Sequence, residues 1–418
     1  MTDRRRPLAL RLRATAASAA TVSLIGGCAS LPGAPSTSTE PVVVMTWAPE
    51  GTRANNMSGM PAMAQAYSRY VNANGGINGR ELKVVTCNEG HNSVKAARCA
   101  RRAVTEGAVA VVGSYSEHGR SFMPTLEAAG IPYVGGYGIA SEEFTSASSY
   151  PVNGGTPALL AGNGRQLADS CERVSLVRPD SIAGDPMPDF LSSGLTAGGR
   201  GTARDIMVAH DSTDYTSQAH AAIGDDLPSS CVSAVLGERT DTFFDSFRRL
   251  KPDNTRIASV LGSIDQSLVD RTGGADGPLE GAWATGWYPP ADDPRWDGMR
   301  KVVRTHAFGD NRIDISDPGA QTTWIAYTVF TSAARALGDK PVTARTIARE
   351  LDNGEGIGTG GLTQRLSWRY SDLLAVHDYP RIVNTSVTFQ VVRNGRLTAM
   401  RDRLVDVRVM LEGADDPA

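Results

Sequence analysis

The sequence predicts an α/β protein with two doubly wound parallel-sheet lobes. From Val42 onward, short aliphatic runs alternate with longer segments of helical period, which is typical of a parallel sheet covered by helices. The alternation starts again after a Gly/Pro/Ser-rich stretch at 146–157. The length of 418 residues agrees with two or three compact units. With 41% hydrophobic and 21% charged residues, the composition is that of a soluble globular protein.

Residues 1–27 predict an export signal. Three arginines near the start precede an apolar run that is shorter than the roughly 20 residues a transmembrane helix needs. The segment "LIGGC" is similar to a lipobox, in which Cys28 would be lipidated. The alternative is ordinary secretion with Cys28 as a plain thiol, and both Sec and twin-arginine export stay open. Residues 28–41, rich in Ser and Pro, predict a flexible tether.

Charge and cysteine content narrow the function classes. Without residues 1–27 the chain has 37 basic and 44 acidic residues, a net charge of −7, which argues against a nucleic-acid partner. Four further cysteines, at 87, 99, 171 and 231, indicate disulfides in an exported protein, and three pairings are possible. Neither a CxxC motif nor a His/Cys cluster of zinc spacing occurs, so we expect no metal and no cofactor.

The first lobe is predicted from four aliphatic runs, "VVVMTW", "ELKVVTC", "AVAVVG" and "IPYVGG", with helical segments between them. In the first helical segment one face is formed by Met60, Met63, Ala64, Tyr67 and Val71. In the second, the predicted apolar face is formed by Val94, Ala97, Ala100 and Val104. A third helix is predicted over "RSFMPTLEAAG".

The second lobe is predicted from five strand-like runs, "RVSLV", "ARDIMVA", "CVSAVLG", "RIASVLGS" and "LEGAWATGW". Beyond Pro289 we expect three helices, a strand over 361–368 and a hairpin whose Asn394-Gly395 pair suits a type I′ turn. The GxGxxG pattern ending at Gly361 follows a helix and predicts only a loop. No P-loop, GxSxG or HExxH motif occurs, so nothing indicates an enzyme.

Polar residues and glycines follow the carboxyl ends of several predicted strands, at 47–51, 113–119, 135–141, 237–241 and 262–267. In open parallel sheets ligands bind at this edge, where helix N-termini favour anions. The hydroxyls of Ser114 and Ser116 would suit a ligand carboxylate there. The alternative is that these residues only cap helices and form turns.

The stretch "VNANGGINGR" resembles the signature "xNxxGGIxGRxL" of type I periplasmic binding proteins of the branched-chain amino-acid (leucine-binding-protein-like) family. Further matches are "AARCARRAVTEGAVAVVGSYS", "LEAAGIPYVGG", "STDYTSQ", "PLEGAW" and "TVFTSAARALG". The resemblance covers about 42–400 and implies three crossovers between the lobes, with a ligand cleft between them. Its lobe 1 would comprise 42–157 and 287–370, and its lobe 2 would comprise 158–286 and 371–412.

The resemblance also implies which residues bind ligand. They follow the third and fourth strands of lobe 1 and two strands of lobe 2: Ser114, Tyr115, Ser116, Tyr137, Gly138, Ile139, Glu238, Arg239, Ser263 and Asp265. "TWAPEG" departs from the family form, so Trp47 either lines the cleft or packs in the core. The same two alternatives hold for Trp287 and Tyr288. No tyrosine stands where amino-acid binders tend to have one, which puts a leucine-like ligand in doubt.

The resemblance also implies two disulfides. One is Cys171–Cys231, between neighbouring strands, and the other is Cys87–Cys99, between a strand and the next helix. It implies a monomeric, lipid-anchored protein outside the cytoplasmic membrane. This protein would bind a small polar or amino-acid-like ligand and deliver it to an ABC permease and ATPase complex. Two alternatives stay open: a ligand-sensing lipoprotein in signalling, and an exported hydrolase.

Overall fold

The computed structural model describes residues 40–53, 55–209, 212–376 and 378–413. Within them the chain builds two open sheets. Cys28 and the predicted signal and tether, apart from residues 40 and 41, lie outside the described residues.

The first sheet has five parallel strands in the order β2-β1-β3-β4-β5. They are β1 (Val42–Ala48), β2 (Leu82–Asn88), β3 (Ala110–Val112), β4 (Tyr133–Val134) and β5 (Ser149–Tyr150). The helices between them are α1 (Gly59–Ala73), α2 (Ser93–Thr105), α3 (Gly119–Ala129) and α4 (Glu142–Thr145). We call this sheet and its helices lobe 1.

The second sheet has the order β12-β11-β10-β9-β8-β6-β7, with β13 paired to β11. Strands β6 to β10 run parallel, whereas β11 is antiparallel to β10, β12 and β13. The elements up to β10 are α5 (Gly155–Ala168), β6 (Arg173–Pro179), α6 (Met187–Ala197), β7 (Arg204–Val208), α7 (Thr216–Ile223), β8 (Ser230–Ala234), α8 (Thr240–Arg249), β9 (Arg256–Val260), α9 (Gln266–Arg271) and β10 (Trp283–Gly286).

After β10 the chain returns to lobe 1, where three helices follow and two of them pack on α1. These are α10 (Asp297–His306), α11 (Pro318–Ala336) and α12 (Ala344–Asn353). The chain then returns to the second sheet with β11 (Ser386–Arg393), β12 (Arg396–Ala399), β13 (Val405–Asp406) and α13 (Arg408–Glu412). It therefore passes three times between the lobes, and the expected two-lobe α/β fold is confirmed. The exact lobe limits stay a prediction.

The local chemistry explains several of these elements. The predicted face of α1 is buried throughout. In the loop between α1 and β2, a Cβ on Gly76 (φ 72°) would lie 2.1 Å from the Arg80 carbonyl oxygen, so only glycine fits. The β11–β12 turn has φ of 52° at Asn394 and 69° at Gly395, as a type I′ turn requires.

Two predictions about local structure are wrong. In α2, Val94 and Val104 are 61% and 44% exposed, and the buried residues are Ala96, Cys99, Ala100 and Ala103. The disulfide at Cys99 directs that face of the helix towards β2. Residues 361–368 form a loop with a single bridge between Ile357 and Leu366, because Leu362, Leu366 and Trp368 insert into the core instead of joining a sheet.

Both expected disulfides are confirmed. Cys87 in β2 bonds Cys99 in α2, and Cys171 bonds Cys231 in β8. Cys171 precedes β6, which pairs with β8 in parallel so that Val174 lies beside Cys231. Each lobe therefore contains one disulfide.

Candidate functional site

The carboxyl ends of the two sheets meet at one cleft. The Tyr137 ring, after β4, lies 5.3 Å from the Trp287 ring, after β10. A Cβ placed on Gly262, after β9, would lie 3.7 Å from the Tyr137 hydroxyl. Loops that follow parallel strands in both lobes thus contact each other where ligands bind in open α/β sheets.

The loop after β3 uses its hydroxyls inside the protein. The fully buried Ser114 Oγ accepts a hydrogen bond from the Trp47 backbone N–H at 3.0 Å. Ser116 Oγ, also fully buried, donates to Glu89 Oε2 at 3.1 Å and accepts from the His118 N–H at 3.1 Å. The Ser116 proton is therefore already donated to Glu89, contrary to the expectation that it would bind a ligand carboxylate. Ser114 accepts one hydrogen bond and is fully buried, so its hydroxyl does not lie open to the cleft.

Tyr115 lies between the two serines but makes different contacts. Its hydroxyl donates to Glu117 Oε1 at 2.9 Å, and its ring centroid lies 5.1 Å from that of Tyr137 and 6.0 Å from that of His91. Burial, followed by repulsion from Glu117, raises the pKa of the Tyr115 phenol far above its ordinary value. Tyr115 therefore stays neutral and contributes an aromatic surface.

The loop after β4 is held from within by Glu143. This buried carboxylate accepts hydrogen bonds from the backbone N–H groups of Gly138, Ile139 and Ala140 at 3.0, 2.9 and 3.0 Å. Burial raises the pKa of Glu143 to about 7, and the three N–H groups oppose that rise. The backbone donors of Gly138 and Ile139 are consequently occupied, and the Ile139 side chain is exposed.

Trp47 lies in the core instead of the cleft. Its ring is fully buried, 5.2 Å from Phe122 and 5.9 Å from Tyr133 between centroids. This is a correction to its assignment as a ligand-binding residue: β1 directs the ring onto α3, on the face of the sheet away from α1.

The loops of lobe 2 leave more polar groups accessible. Glu238 is exposed and Arg239 is half-buried, and both lie in a short 3₁₀ helix after β8. Ser263 Oγ accepts a hydrogen bond from the Gly237 N–H at 3.1 Å, which ties the loops after β8 and β9 together. Asp265 caps α9 by accepting from the Leu268 N–H at 2.7 Å through one carboxylate oxygen. That leaves its second oxygen for other contacts.

An aromatic row crosses the cleft. Its members are Tyr115, Tyr137, Trp287 and Tyr288, with centroids 5.1, 5.3 and 6.1 Å apart in that order. Trp287 donates its indole N–H to the Gly155 carbonyl at 3.0 Å. The Tyr288 hydroxyl lies 3.1 Å from Thr322 Oγ1 and accepts from Asn153 Nδ2 at 3.3 Å. Both side chains are therefore held by hydrogen bonds within the protein, and Trp287 also contacts Tyr137 at the cleft.

A small, open pocket of about 70 Å³ lies between lobe 2 and the start of α11. Its lining is mixed in character, with aromatic, amide, acidic and one basic side chain; the polar members are Asp265, Gln266, Tyr288, Asp292, Ser316, Gln321, Gln390 and Arg396. Of these, only Asp265 was predicted as a ligand-binding residue. Gln266 begins α9, and Tyr288 and Asp292 lie in the segment after β10. The remaining four come from β11, β12 and the chain around the start of α11, which no motif connects to the cleft.

Asp317 is a further residue that sequence reasoning missed. It caps α11, where its Oδ2 accepts from the Ala320 N–H at 2.8 Å. Burial raises its pKa to about 6, and repulsion from Asp314 and Asp265 adds to the rise. The segment "SDPG" carried the signal, because Asp before Pro marks a helix start. A helix start alone, however, does not indicate that the neighbouring Ser316 and Gln321 line a pocket.

The described residues contain neither a candidate metal site nor a candidate membrane span. No group of three or more His, Cys, Asp or Glu side chains in those parts of the chain is placed to hold a metal ion. In the same parts, every helix is too short or too polar to cross a bilayer.

Comparison with solved structures places the fold. A substrate-binding periplasmic protein from Ralstonia solanacearum aligns with a TM-score of 0.67 at 17% identity, covering 86% of this chain and 99% of that one. A leucine-binding protein from Thermotoga maritima aligns with a TM-score of 0.63 at 16% identity, covering 88% and 99%. A type 1 periplasmic binding protein from Bordetella pertussis gives 0.65 at 15% identity, covering 88% and 99%.

At these identities the structural matches show the fold alone. No curated protein sequence matches the chain significantly. The family model for periplasmic binding proteins, however, matches residues 43–380, which is most of the chain. The structural relatives include leucine-binding and type 1 proteins, in agreement with the resemblance seen in the sequence. The chain therefore belongs to the periplasmic binding protein family, as a type I member whose role is to bind a solute and not to catalyse a reaction.

Proposed function

We propose that this protein is a lipid-anchored, extracytoplasmic solute-binding protein that captures a small polar or amino-acid-like ligand between its lobes and delivers it to an ABC permease. One observation carries the proposal. The carboxyl edges of two parallel sheets oppose each other across Tyr137 and Trp287, beside a pocket with accessible polar side chains. A ligand there would be enclosed by both lobes and lose most of its water.

Delivery to a permease needs a bound form that differs from the free form. Three crossing segments join the lobes, which allows one lobe to rotate on the other as a hinged clamp. Trp287 and Tyr288 lie in one of these segments, so closure of the cleft and the position of the aromatic row are coupled. A permease could then distinguish loaded from empty protein by the angle between the lobes.

Lipid anchoring is supported by Cys28 in the sequence and by the prediction of a flexible tether up to residue 41. Cys28→Ser tests it directly. We expect the wild-type protein to carry the mass of a lipid and to sediment with membranes, and the variant to lose both properties. Equal membrane recovery of the two proteins would contradict the anchor while leaving solute binding intact.

Solute binding is tested by native mass spectrometry of the full-length protein, purified in detergent without refolding. We expect a fraction of the protein to carry one small molecule that is released on mild activation. Loss of uptake of that molecule by cells lacking the gene would support import. Normal uptake together with retained binding would favour a sensing role.

A further inference from the structure

Two fully buried asparagines lie where the three crossing segments meet. The first segment is residues 151–154 and contains Asn153, the second begins at Trp287 after β10, and the third ends before β11 and contains Asn384. Asn384 donates a hydrogen bond from its Nδ2 to the Val152 carbonyl at 2.8 Å, which joins the third segment to the first. Because separating a buried amide from its partner is costly, these two segments are held together.

Asn153 joins a different set of elements. Its Nδ2 donates to the Tyr137 carbonyl at 3.1 Å and to the Tyr288 hydroxyl at 3.3 Å. Its Oδ1 accepts from the Gly155 N–H at 3.0 Å, and this bond fixes the orientation of the amide, because the reverse orientation would place two donors against each other. One side chain of the first segment therefore contacts both the cleft loop of lobe 1 and the second segment.

The surroundings of Asn153 agree with such a link. A Cβ on Gly138, whose φ is 91°, would lie 2.4 Å from Asn153 Oδ1, so the loop after β4 approaches the asparagine as closely as only glycine allows. Tyr288 is bonded to both lobes, since its hydroxyl lies 3.1 Å from Thr322 Oγ1 of α11 and its carbonyl accepts from Thr388 Oγ1 of β11 at 2.8 Å. Rotation of one lobe on the other must therefore displace Tyr288 relative to one of these partners.

We infer that Asn153 is a positioning residue that couples the angle between the lobes to the cleft wall, because its amide bonds both Tyr288 and the Tyr137 carbonyl. Rotation that moves Tyr288 moves the amide, and the amide moves Tyr137, whose ring contacts Trp287. Coupling is reciprocal, so a solute that displaces Tyr137 also changes the angle between the lobes. This inference rests on the proposed solute-binding function and names the residue through which binding and closure are connected.

Fluorine NMR of the full-length protein in detergent, dialysed free of small molecules, measures the coupling with 3,5-difluorotyrosine in place of Tyr137. Tyr288→Phe removes the hydroxyl that Asn153 bonds and keeps the ring. We expect it to shift the resonance at position 137 in the wild-type background, and by no more than about a third as much in an Asn153→Ser background. The serine hydroxyl can accept from the Gly155 N–H, but its single proton cannot be donated to both tyrosines.

Asn384→Ser is the matched control. Asn384 is as fully buried as Asn153, donates to one carbonyl and likewise accepts from the N–H two residues further on, at Ser386. The two serine variants should therefore lower the melting temperature by similar amounts. The effect of Tyr288→Phe on position 137 should nevertheless be retained in Asn384→Ser, because the bonds of Asn153 are intact there.

Three results would overturn the inference. If Tyr288→Phe leaves the resonance at position 137 unchanged in the wild-type background, no coupling exists. An undiminished shift in Asn153→Ser would show that the coupling runs through the ring contact between Trp287 and Tyr137 instead. Equal loss of the effect in Asn153→Ser and Asn384→Ser would show that any loosening of the crossing segments has this consequence.

The measurement also separates this inference from the function beneath it, because it needs no bound solute. Altered coupling results, together with a small molecule that co-purifies with the wild-type protein in native mass spectrometry, would end the inference alone. The expected fluorine shifts without any co-purified molecule would contradict the solute-binding proposal and leave the role of Asn153 in the crossing segments standing.

Discussion

The loops of the two lobes that face the cleft are built differently, although both follow parallel strands. In lobe 1, the side chains of Ser114, Ser116 and Glu143 form hydrogen bonds with neighbouring backbone and side-chain groups. In lobe 2, Glu238 is exposed and Asp265 uses one oxygen for its cap. The loops after β3 and β4 in lobe 1 therefore present an aromatic surface, and the loops of lobe 2 present accessible charge. Substitutions at Ser116 and Glu143 in lobe 1 should mainly affect stability, and substitutions at Asp265 in lobe 2 should mainly affect binding.

The largest effect should come from the disulfides, one in each lobe. Cys171–Cys231 closes a separation of 60 residues, and Cys87–Cys99 closes one of 12. From the entropy of loop closure, we expect loss of Cys171–Cys231 to lower the unfolding free energy by about 4 kcal/mol and loss of Cys87–Cys99 to lower it by about 3 kcal/mol. Paired Cys→Ala variants compared by urea denaturation measure both. A larger loss for the lobe 1 pair would show that chain entropy does not decide the ranking.

The next effect is expected at Glu143. Glu143→Ala leaves three backbone N–H groups of the 138–140 segment without acceptors, which should lower the unfolding free energy by about 3 kcal/mol. Glu142→Ala is the adjacent control, since it loses only a surface pair with Arg120 and should cost less than about 1 kcal/mol. Thermal unfolding measures both variants. Equal losses would mean that water replaces the Glu143 carboxylate.

Substitution of Asp317, in contrast to that of Glu143, should raise the unfolding free energy. Its pKa is raised from 3.8 to about 6, so folding favours the protonated carboxyl. Its contribution to stability is complete below about pH 4 and is lost as the pH rises through 6. Asp317→Asn should therefore stabilise the ligand-free protein by about 3 kcal/mol at pH 8 and by almost nothing at pH 4. Denaturant midpoints at the two pH values check this, and a variant that is less stable at pH 8 would contradict it.

The smallest effect is predicted for Ser116→Ala. The variant removes a hydroxyl that bonds Glu89 and the His118 N–H, so unfolding free energy should fall by about 1 kcal/mol. Ligand affinity of the folded protein should change less than twofold, because the hydroxyl is fully buried and its proton is already donated to Glu89. Calorimetry with the bound solute measures this. A tenfold loss of affinity would indicate that Ser116 binds the ligand, and would contradict the difference between the lobes described above.

Much of this arrangement was predictable from the sequence. Local patterns predicted α1 and its buried face, the Asn394-Gly395 turn and both sheets, because those features depend on hydrophobic period and turn chemistry over a few residues. The predicted buried face of α2 was wrong. Its many alanines give little hydrophobic periodicity, and the Cys87–Cys99 bond fixes which face of the helix is buried. Residues 361–368 had strand-like alternation, but the core next to them accepts inserted side chains and offers no strand partner.

The sequence by itself determined the fold, the family and the loops in which a site had to be sought. Only the tertiary structure decided which polar groups in those loops are still free. A sequence pattern places Ser116 and the 138–140 segment near the cleft, but it does not show their hydrogen-bond partners. In the structure, Glu89 accepts from Ser116 and Glu143 accepts from the N–H groups of the 138–140 segment. Likewise Ser316 and Gln321, far along the chain from Asp265, line the pocket only through the packing of α11 on lobe 1. Because an unpaired charge or hydroxyl is defined by what surrounds it, the chemistry of this cleft is a property of the folded chain.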